Sequence, residues 1–160
     1  AGPGIFAQER MGKNGKVFTC YKFRTMQQNT EQVGTHEVSS ASITRIGAFL
    51  RKTKLDELPQ VANILLNQMS LIGPRPCLPH QTKLVGERQS QNVFDLKPGI
   101  SGLAQINDID MSTPTLLADW DAQYAKIRGI LPDLLIIIDT AIGRGQGDKV
   151  NHDSGQERQG

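Results

Sequence analysis

Aromatic residues and long apolar runs are both scarce in this 160-residue sequence, and each shortage argues against a class of protein. Aromatic side chains make up 5% of the chain and no base-reading motif occurs, so no nucleic-acid partner is predicted. The most apolar stretch, residues 131–142, is shorter than the roughly 18 residues that cross a bilayer, and it contains two aspartates. That stretch is predicted to be an amphipathic or buried helix.

Several enzyme motifs are also missing. Cys20 and Cys77 lack metal-ligand spacing and are interpreted as reduced thiols, although two cysteines do not exclude a disulfide. The three histidines are scattered without zinc spacing, and no Gly-x-Ser-x-Gly supports a serine hydrolase. The glycine-rich residues 143–147 lack the preceding strand and following helix of a dinucleotide-binding loop.

The distribution of charge is the first positive signal. Residues 1–55 contain nine Lys/Arg and three Asp/Glu, a net +6, whereas residues 56–160 contain nine and thirteen, a net −4. A basic N-terminal third favours an anionic partner, such as phosphates, nucleic acid or an anionic membrane surface. The ordinary alternative is a solvated basic face.

Residue patterns predict one α+β domain, mainly helical around a small β-sheet or hairpin, with amphipathic helices at a membrane interface. A strand is predicted over 16–26, a loop over 27–42, and a short helix from its Thr44 cap through Leu50. Further elements are predicted as helices at 56–67, 78–90, 114–128 and from Pro132, a short strand or turn entry at 69–72, and a short strand at 103–106. Residues 1–143 are expected to form the domain and 144–160 a flexible tail.

The adjacent acids Asp56 and Glu57 are the most informative pair in the chain. Asp56 suits a helix N-cap, with Pro59 in the first turn, and the helix dipole and nearby Arg51 would stabilise its charged form. An ionised aspartate near cations could attack phosphorus or bind a hard divalent metal. An ordinary capping aspartate is the competing interpretation.

Basic side chains recur near this pair in patterns that suit phosphate. Lys22 and Arg24 are two residues apart, so in a strand they share a face and could bind a diphosphate. Arg75 lies between Pro74 and Pro76, and a rigid backbone lowers the entropy lost on gripping an anion. A solvated strand face and a structural turn are the alternatives for these two motifs.

Taken together, the motifs resemble the bacterial sugar transferases known as monotopic phosphoglycosyl transferases. The resemblance covers roughly residues 3–142 in consistent order, which makes chance implausible. Its matching stretches are residues 8–16, 21–26, 44–53, 55–60, Asn63, 69–76 and 98–105.

The resemblance implies transfer of a phosphosugar from a UDP-sugar to a polyprenyl (undecaprenyl) phosphate, at the cytoplasmic face of the bacterial inner membrane. It assigns Asp56 as the nucleophile that forms a covalent phosphosugar intermediate and Glu57 as its partner, both as Mg²⁺ ligands. It matches Lys22, Arg51 and Arg75 to basic positions near the active site, and Arg24 lies in the same motif. A homo-oligomer is left open.

Two departures from the family pattern stand out. Family members carry an N-terminal hydrophobic membrane helix, and this sequence begins where that helix would already have ended. Many members also have Asn-Gly-Arg where this chain has Asn107, Asp108 and Ile109, so a basic residue is missing, with Arg144 or Arg128 as candidate replacements. The alternative functions are a non-catalytic basic module that binds a membrane or partner, and a nucleotide-sugar hydrolase.

Overall fold

The computed structural model describes residues 4–26 and 43–145. Its first element is an antiparallel hairpin of β1 (Ile5–Met11) and β2 (Val17–Phe23), in which Ile5 pairs with Phe23 and Met11 with Val17. The predicted hairpin is confirmed, although β2 is shorter than the predicted strand. The predicted loop at 27–42 lies outside the described residues.

A second, two-stranded sheet and six helices complete this part of the chain. Strands β3 (Ser70–Ile72) and β4 (Gly99–Ser101) pair in parallel. The helices are α1 (Arg45–Lys52), α2 (Gln60–Leu65), α3 (Thr82–Ser90), α4 (Leu103–Ile106), α5 (Pro114–Ile127) and α6 (Ile130–Ala141). The architecture is therefore a mainly helical α+β domain, as predicted.

The predicted strand at 103–106 is wrong, because these residues form α4 and the strand lies immediately before them. A Cβ on Gly99 would lie 2.1 Å from the Gly73 nitrogen, so the glycine permits the close approach of β4 to the β3 end. Gly102 follows in an extended conformation, and its carbonyl accepts the Ile106 N–H at 3.1 Å. Leu, Ala and Gln are good helix formers, which agrees with the helix that starts there.

Two other helices begin at different residues from those predicted. Helix α3 begins at Thr82 rather than at residue 78, after a turn in which the Gln81 side chain accepts the Leu78 N–H at 2.8 Å. Helix α6 begins at Ile130, which places Pro132 inside its first turn. Proline is tolerated there because its missing N–H has no intrahelical partner.

The core forms where α3 packs against α5 and where α6 covers the second sheet. Its largest cluster contains Cys77, Leu84, Phe94 and Leu117, and a second contains Ile72, Leu96, Tyr124 and Ile136. Both cysteines are free and buried, which confirms their assignment as thiols.

Large apolar side chains are exposed on α1, on the segment that follows it and on α6. Helix α1 exposes Ile46 and Phe49, and α6 buries only Ile136 among its residues. Exposed side chains between and along these helices are Leu55, Leu58, Val61, Leu65, Leu66, Ile130, Leu131, Leu134, Leu135 and Ile138. Within residues 4–26 and 43–145, no helix has the length and apolar character needed to span a membrane.

Candidate active site

Asp56 and Glu57 lie in a tight 3-10 turn, Leu55–Glu57, rather than at the start of a helix. The turn begins at Lys54, whose φ of 57° is left-handed, and the Glu57 N–H donates to the Lys54 carbonyl at 3.3 Å. Helix α2 starts only at Gln60, with Pro59 in the N-cap position. The predicted N-cap role of Asp56 is therefore wrong, because the i→i+3 bonds of the turn are completed before the helix begins.

Glu57 is the buried centre of the site. Its side chain is 8% exposed, and its Oε1 atom lies 3.1 Å from Lys22 Nζ and 2.9 Å from Arg75 Nη1. Lys22 comes from β2 and Arg75 from the loop after β3, so the carboxylate joins three separate parts of the chain. This arrangement brings together three of the residues that the sequence assigned to the site.

Asn63 on α2 fixes the strand that carries Lys22 against the turn that carries the acids. Its Oδ1 accepts the Tyr21 N–H at 3.1 Å, and its Nδ2 donates to the Thr19 carbonyl at 2.7 Å and to Gln68 Oε1 at 2.8 Å. The side chain is fully buried and its polar groups are paired. Burying an amide is favourable only with such partners, so the α2–β2 geometry is tightly determined.

Helix α1 carries Arg51, another basic residue near the acids. The Thr44 side chain accepts the Gly47 N–H at 2.9 Å, which confirms the predicted cap. A Cβ on Gly47 would lie 2.1 Å from the Thr25 carbonyl oxygen, so the glycine lets α1 lie directly against the chain after β2. Arg51 Nε donates to Thr25 Oγ1 at 2.9 Å, and the Arg51 charge acts on Asp56.

Arg24 extends the basic face of the hairpin. Its guanidinium lies 5.5 Å from the centre of the Phe6 ring, within cation–π range. Phe6 is the register partner of Lys22 across the hairpin. Lys22 and Arg24 therefore flank the same aromatic side chain, which agrees with the prediction that they share a face.

The Asp56 carboxyl has a raised pKa, contrary to the expectation that its surroundings favour the charged form. Burial is the largest cause, and the negative charge of Glu57 acts in the same direction. Lys22, Arg75 and Arg51 lower the pKa but do not outweigh these effects. The sequence suggested the cations, but not the burial of Asp56.

Residues beyond those predicted also reach the site. Lys54 Nζ donates to the Arg144 carbonyl at 3.0 Å, and a Cβ on Gly145 would lie 2.5 Å from the Gln105 carbonyl. When the Gln105 amide is oriented so that its oxygen and its nitrogen both have partners, the oxygen accepts a hydrogen bond from Arg75 Nη1 at 3.3 Å. The first two residues of the predicted tail thus pack beside the site, and residues 146–160 lie outside the described part.

Arg144 and Arg128, the candidate replacements for the missing basic residue, lie in different places. The Arg144 side chain is 64% exposed and lies 3.4 Å from Asp139, and its backbone is at the site through Lys54. Arg128 follows the end of α5. The replacement itself stays a prediction, and of the two residues Arg144 is the one whose backbone carbonyl binds Lys54, at the start of the turn that carries the acids.

A magnesium ion at this site would need phosphate oxygens as ligands in addition to the carboxylates. Among residues 4–26 and 43–145, no group of three or more His, Cys, Asp or Glu side chains could hold a metal alone. Mg²⁺ is commonly bound through one or two carboxylates plus substrate phosphates, and Asp56 and Glu57 supply that donor set. The cations around Glu57 suit the remaining negative charge of a diphosphate.

Comparison with known proteins identifies the family. The sequence matches the bacterial sugar transferase family over residues 1–144, so the chain belongs to that family. It is 36% identical, over 88% of its length, to an undecaprenyl-phosphate galactose phosphotransferase of Salmonella typhimurium. It is 44% identical, over 84% of its length, to an uncharacterized sugar transferase of Bacillus subtilis.

A third relative names a different sugar. The chain is 36% identical, over 88% of its length, to a UDP-glucose:undecaprenyl-phosphate glucose-1-phosphate transferase of Xanthomonas campestris. The chain spans 33% of the Salmonella protein, 31% of the Xanthomonas protein and 66% of the Bacillus protein. The names of the Salmonella and Xanthomonas proteins share the undecaprenyl carrier but differ in the sugar, galactose in one and glucose in the other.

Proposed function

We propose that this domain transfers a sugar-1-phosphate from a UDP-sugar to polyprenyl phosphate, as the first step in assembling a bacterial polysaccharide or glycoconjugate. The observation that carries the proposal is the meeting of Asp56 and Glu57 with Lys22, Arg51 and Arg75 around the turn Leu55–Glu57. Phosphoryl transfer needs positioning and neutralisation of oxygen charge more than any other chemistry, and these side chains supply both.

In the first half-reaction, an Asp56 carboxylate oxygen attacks the β-phosphorus of the donor. The bond from that phosphorus to the bridging oxygen breaks, and UMP leaves with the bonding electrons. The Asp56 carboxyl is then joined to the sugar phosphate as an acyl phosphate. Lys22 and Arg75 bind the phosphate oxygens, while Glu57 holds both cations in place. Asp56 and Glu57 would hold Mg²⁺, which would supply positive charge to offset that of the phosphate oxygens.

In the second half-reaction, a phosphate oxygen of the polyprenyl phosphate attacks the same phosphorus. The bond to Asp56 breaks, which restores the carboxylate and gives a polyprenyl diphosphate sugar. Because one water-soluble and one lipid substrate use the site in turn, they need not bind together.

The exposed apolar side chains support a lipid acceptor over water. Leu55 and Leu58 flank the two acids and are 42% and 56% exposed, and Ile46 and Phe49 on α1 are more exposed still. Helix α1 lies against the turn that carries the acids, and an apolar surface on adjoining elements typically marks a protein or membrane contact. We therefore propose that this surface rests on the cytoplasmic face of the inner membrane beside the acceptor.

Product analysis tests this function and separates it from its rivals. The protein is incubated with Mg²⁺, a UDP-sugar panel and undecaprenyl phosphate in detergent, and UMP, lipid and free sugar phosphate are measured. We expect UMP and a lipid-linked diphosphate sugar. Free sugar-1-phosphate as the main product would instead mean a hydrolase, and salt-sensitive vesicle binding without UMP would mean a non-catalytic module.

A further inference from the structure

A buried ion pair outside the reaction centre connects two helices. Arg88 on α3 and Asp121 on α5 are 2% and 3% exposed, and Arg88 Nε and Nη2 donate to Asp121 Oδ2 at 2.9 and 2.6 Å. Burial raises the pKa of Asp121, and the Arg88 guanidinium opposes that effect. Replacing a buried pair by apolar residues is often neutral or stabilising, so stability alone gives little reason for this one.

The third contact of Arg88 points to a role. Its Nη1 atom donates to the backbone carbonyl of Arg75 at 2.8 Å. The Arg75 side chain contacts Glu57, with its Nη1 atom 2.9 Å from Glu57 Oε1. Arg88 therefore binds the peptide group of a residue that belongs to the proposed phosphate site.

The backbone carbonyls on either side of Arg75 also accept hydrogen bonds. The carbonyls of Pro74, Pro76 and Cys77 accept hydrogen bonds from Gly99 N, Arg10 Nη1 and Met11 N, at 2.9, 3.1 and 2.8 Å. With Arg75 included, four consecutive carbonyls are each bound by a different donor. Flanking prolines restrict the backbone of Arg75 further, because they fix their own φ and limit the residue before them.

We propose that the Arg88–Asp121 pair is a positioning device for Arg75, holding its guanidinium in the direction that binds the donor diphosphate. Asp121 orients the Arg88 guanidinium through two hydrogen bonds, and Arg88 in turn fixes the Arg75 peptide. This inference depends on the proposed function only in that Arg75 binds the donor diphosphate, and diphosphate binding can be measured without turnover. Preorganising a binding side chain raises affinity by reducing the freedom lost on binding.

A purely structural pair that joins α3 to α5 is the competing explanation. The two helices share another contact that does not reach Arg75, since Thr115 Oγ1 donates to Glu87 Oε1 at 3.1 Å. Thr115→Val therefore removes one α3–α5 hydrogen bond as a matched control.

The test compares the apolar double variant Arg88→Met/Asp121→Leu with Arg75→Ala and with the triple combination. Thermal unfolding establishes that each variant folds, and titration with UDP and Mg²⁺ gives affinity independently of catalysis. We expect the double variant to bind UDP at least about tenfold more weakly and to raise the donor KM more than it lowers kcat. In the Arg75→Ala background the same double change should cause no further loss, because coupled residues are non-additive.

Wild-type UDP affinity in the folded double variant, or a loss that adds fully to that of Arg75→Ala, would overturn the proposal. If the double variant does not fold, Arg88→Lys tests the proposal instead. An ammonium keeps the positive charge but cannot make the three hydrogen bonds of the guanidinium in the same geometry. Unchanged UDP affinity in Arg88→Lys would overturn the proposal. Wild-type protein that binds UDP but transfers no phosphosugar would contradict the proposed function and leave this inference standing on the binding data.

Discussion

Removing one negative charge from either of two adjacent carboxylates should shift stability in opposite directions. Glu57→Gln leaves Lys22 and Arg75 facing each other without their carboxylate. Loss of one partner from a fully buried pair costs about 3–5 kcal/mol. Because Lys22 and Arg75 are 19% and 17% exposed, water offsets part of that cost and we expect about 2–3 kcal/mol. At this chain length the melting temperature should fall by roughly 5–10 °C.

Asp56→Asn is the matched control, since it makes the same change of charge one residue away. The pKa of Asp56 is raised on folding, so its ionised form opposes folding once the pH is above that pKa. At neutral pH the substitution should therefore increase the free energy of unfolding. The gain should vanish as the pH falls below the ordinary aspartate range, where Asp56 is protonated in both states.

Urea and thermal unfolding followed by circular dichroism, at low ionic strength, measure both effects. Unchanged stability of Glu57→Gln, within about 0.5 kcal/mol, would refute the view that this carboxylate holds the site together. A destabilised Asp56→Asn at neutral pH would refute the assigned environment of the nucleophile.

Three further predictions concern the chain beside the site, the Lys22 charge and the exposed apolar surface. Gly145→Ala should slow UMP release because its Cβ would collide with the chain beside the site. Gly143→Ala is the control, since Gly143 shares the positive φ but its Cβ would meet no atom within 4 Å. Equal effects of the two substitutions on single-turnover rates would contradict this. Lys22 lowers the pKa of Asp56, so Lys22→Met should move the acidic limb of the adduct-formation pH profile to higher pH; a shift to lower pH would be contrary to the electrostatic assignment. Phe49 is 62% exposed, and burying a large apolar side chain contributes about 1.5–3 kcal/mol. Phe49→Ser should therefore lower the affinity for anionic vesicles, measured by sedimentation, by roughly tenfold, whereas Phe49→Leu should not. Equal binding by both variants would argue against insertion of α1.

Features set by neighbouring residues were predicted well from the sequence. The Thr44 cap depends on a hydrogen bond three residues away, and the hairpin depends on β-forming residues around a turn. The gathering of Lys22, Glu57 and Arg75 could be inferred from the family resemblance, although no local pattern predicts their contacts.

Features set by distant residues were missed or misplaced. Strand β4 exists through its pairing with β3, whereas the apolar pattern alone favours a strand at residues 103–106. The raised pKa of Asp56 arises from burial by tertiary packing, which spacing along the chain does not report. Arg88 and Asp121 are 33 positions apart, so their pairing has no local signal.

The central claim is that Asp56 becomes covalently attached to the phosphosugar, and intact-protein mass spectrometry tests it most directly. The protein and its Asp56→Asn variant are each incubated with Mg²⁺ and a panel of UDP-sugars, without lipid acceptor, and the adduct is located by peptide mapping. The account predicts a mass increase of one phosphosugar on Asp56 in the parent protein alone, with the reactive donor naming the sugar. An adduct that persists in Asp56→Asn, or UMP release without any adduct in rapidly quenched samples of folded protein, would contradict it.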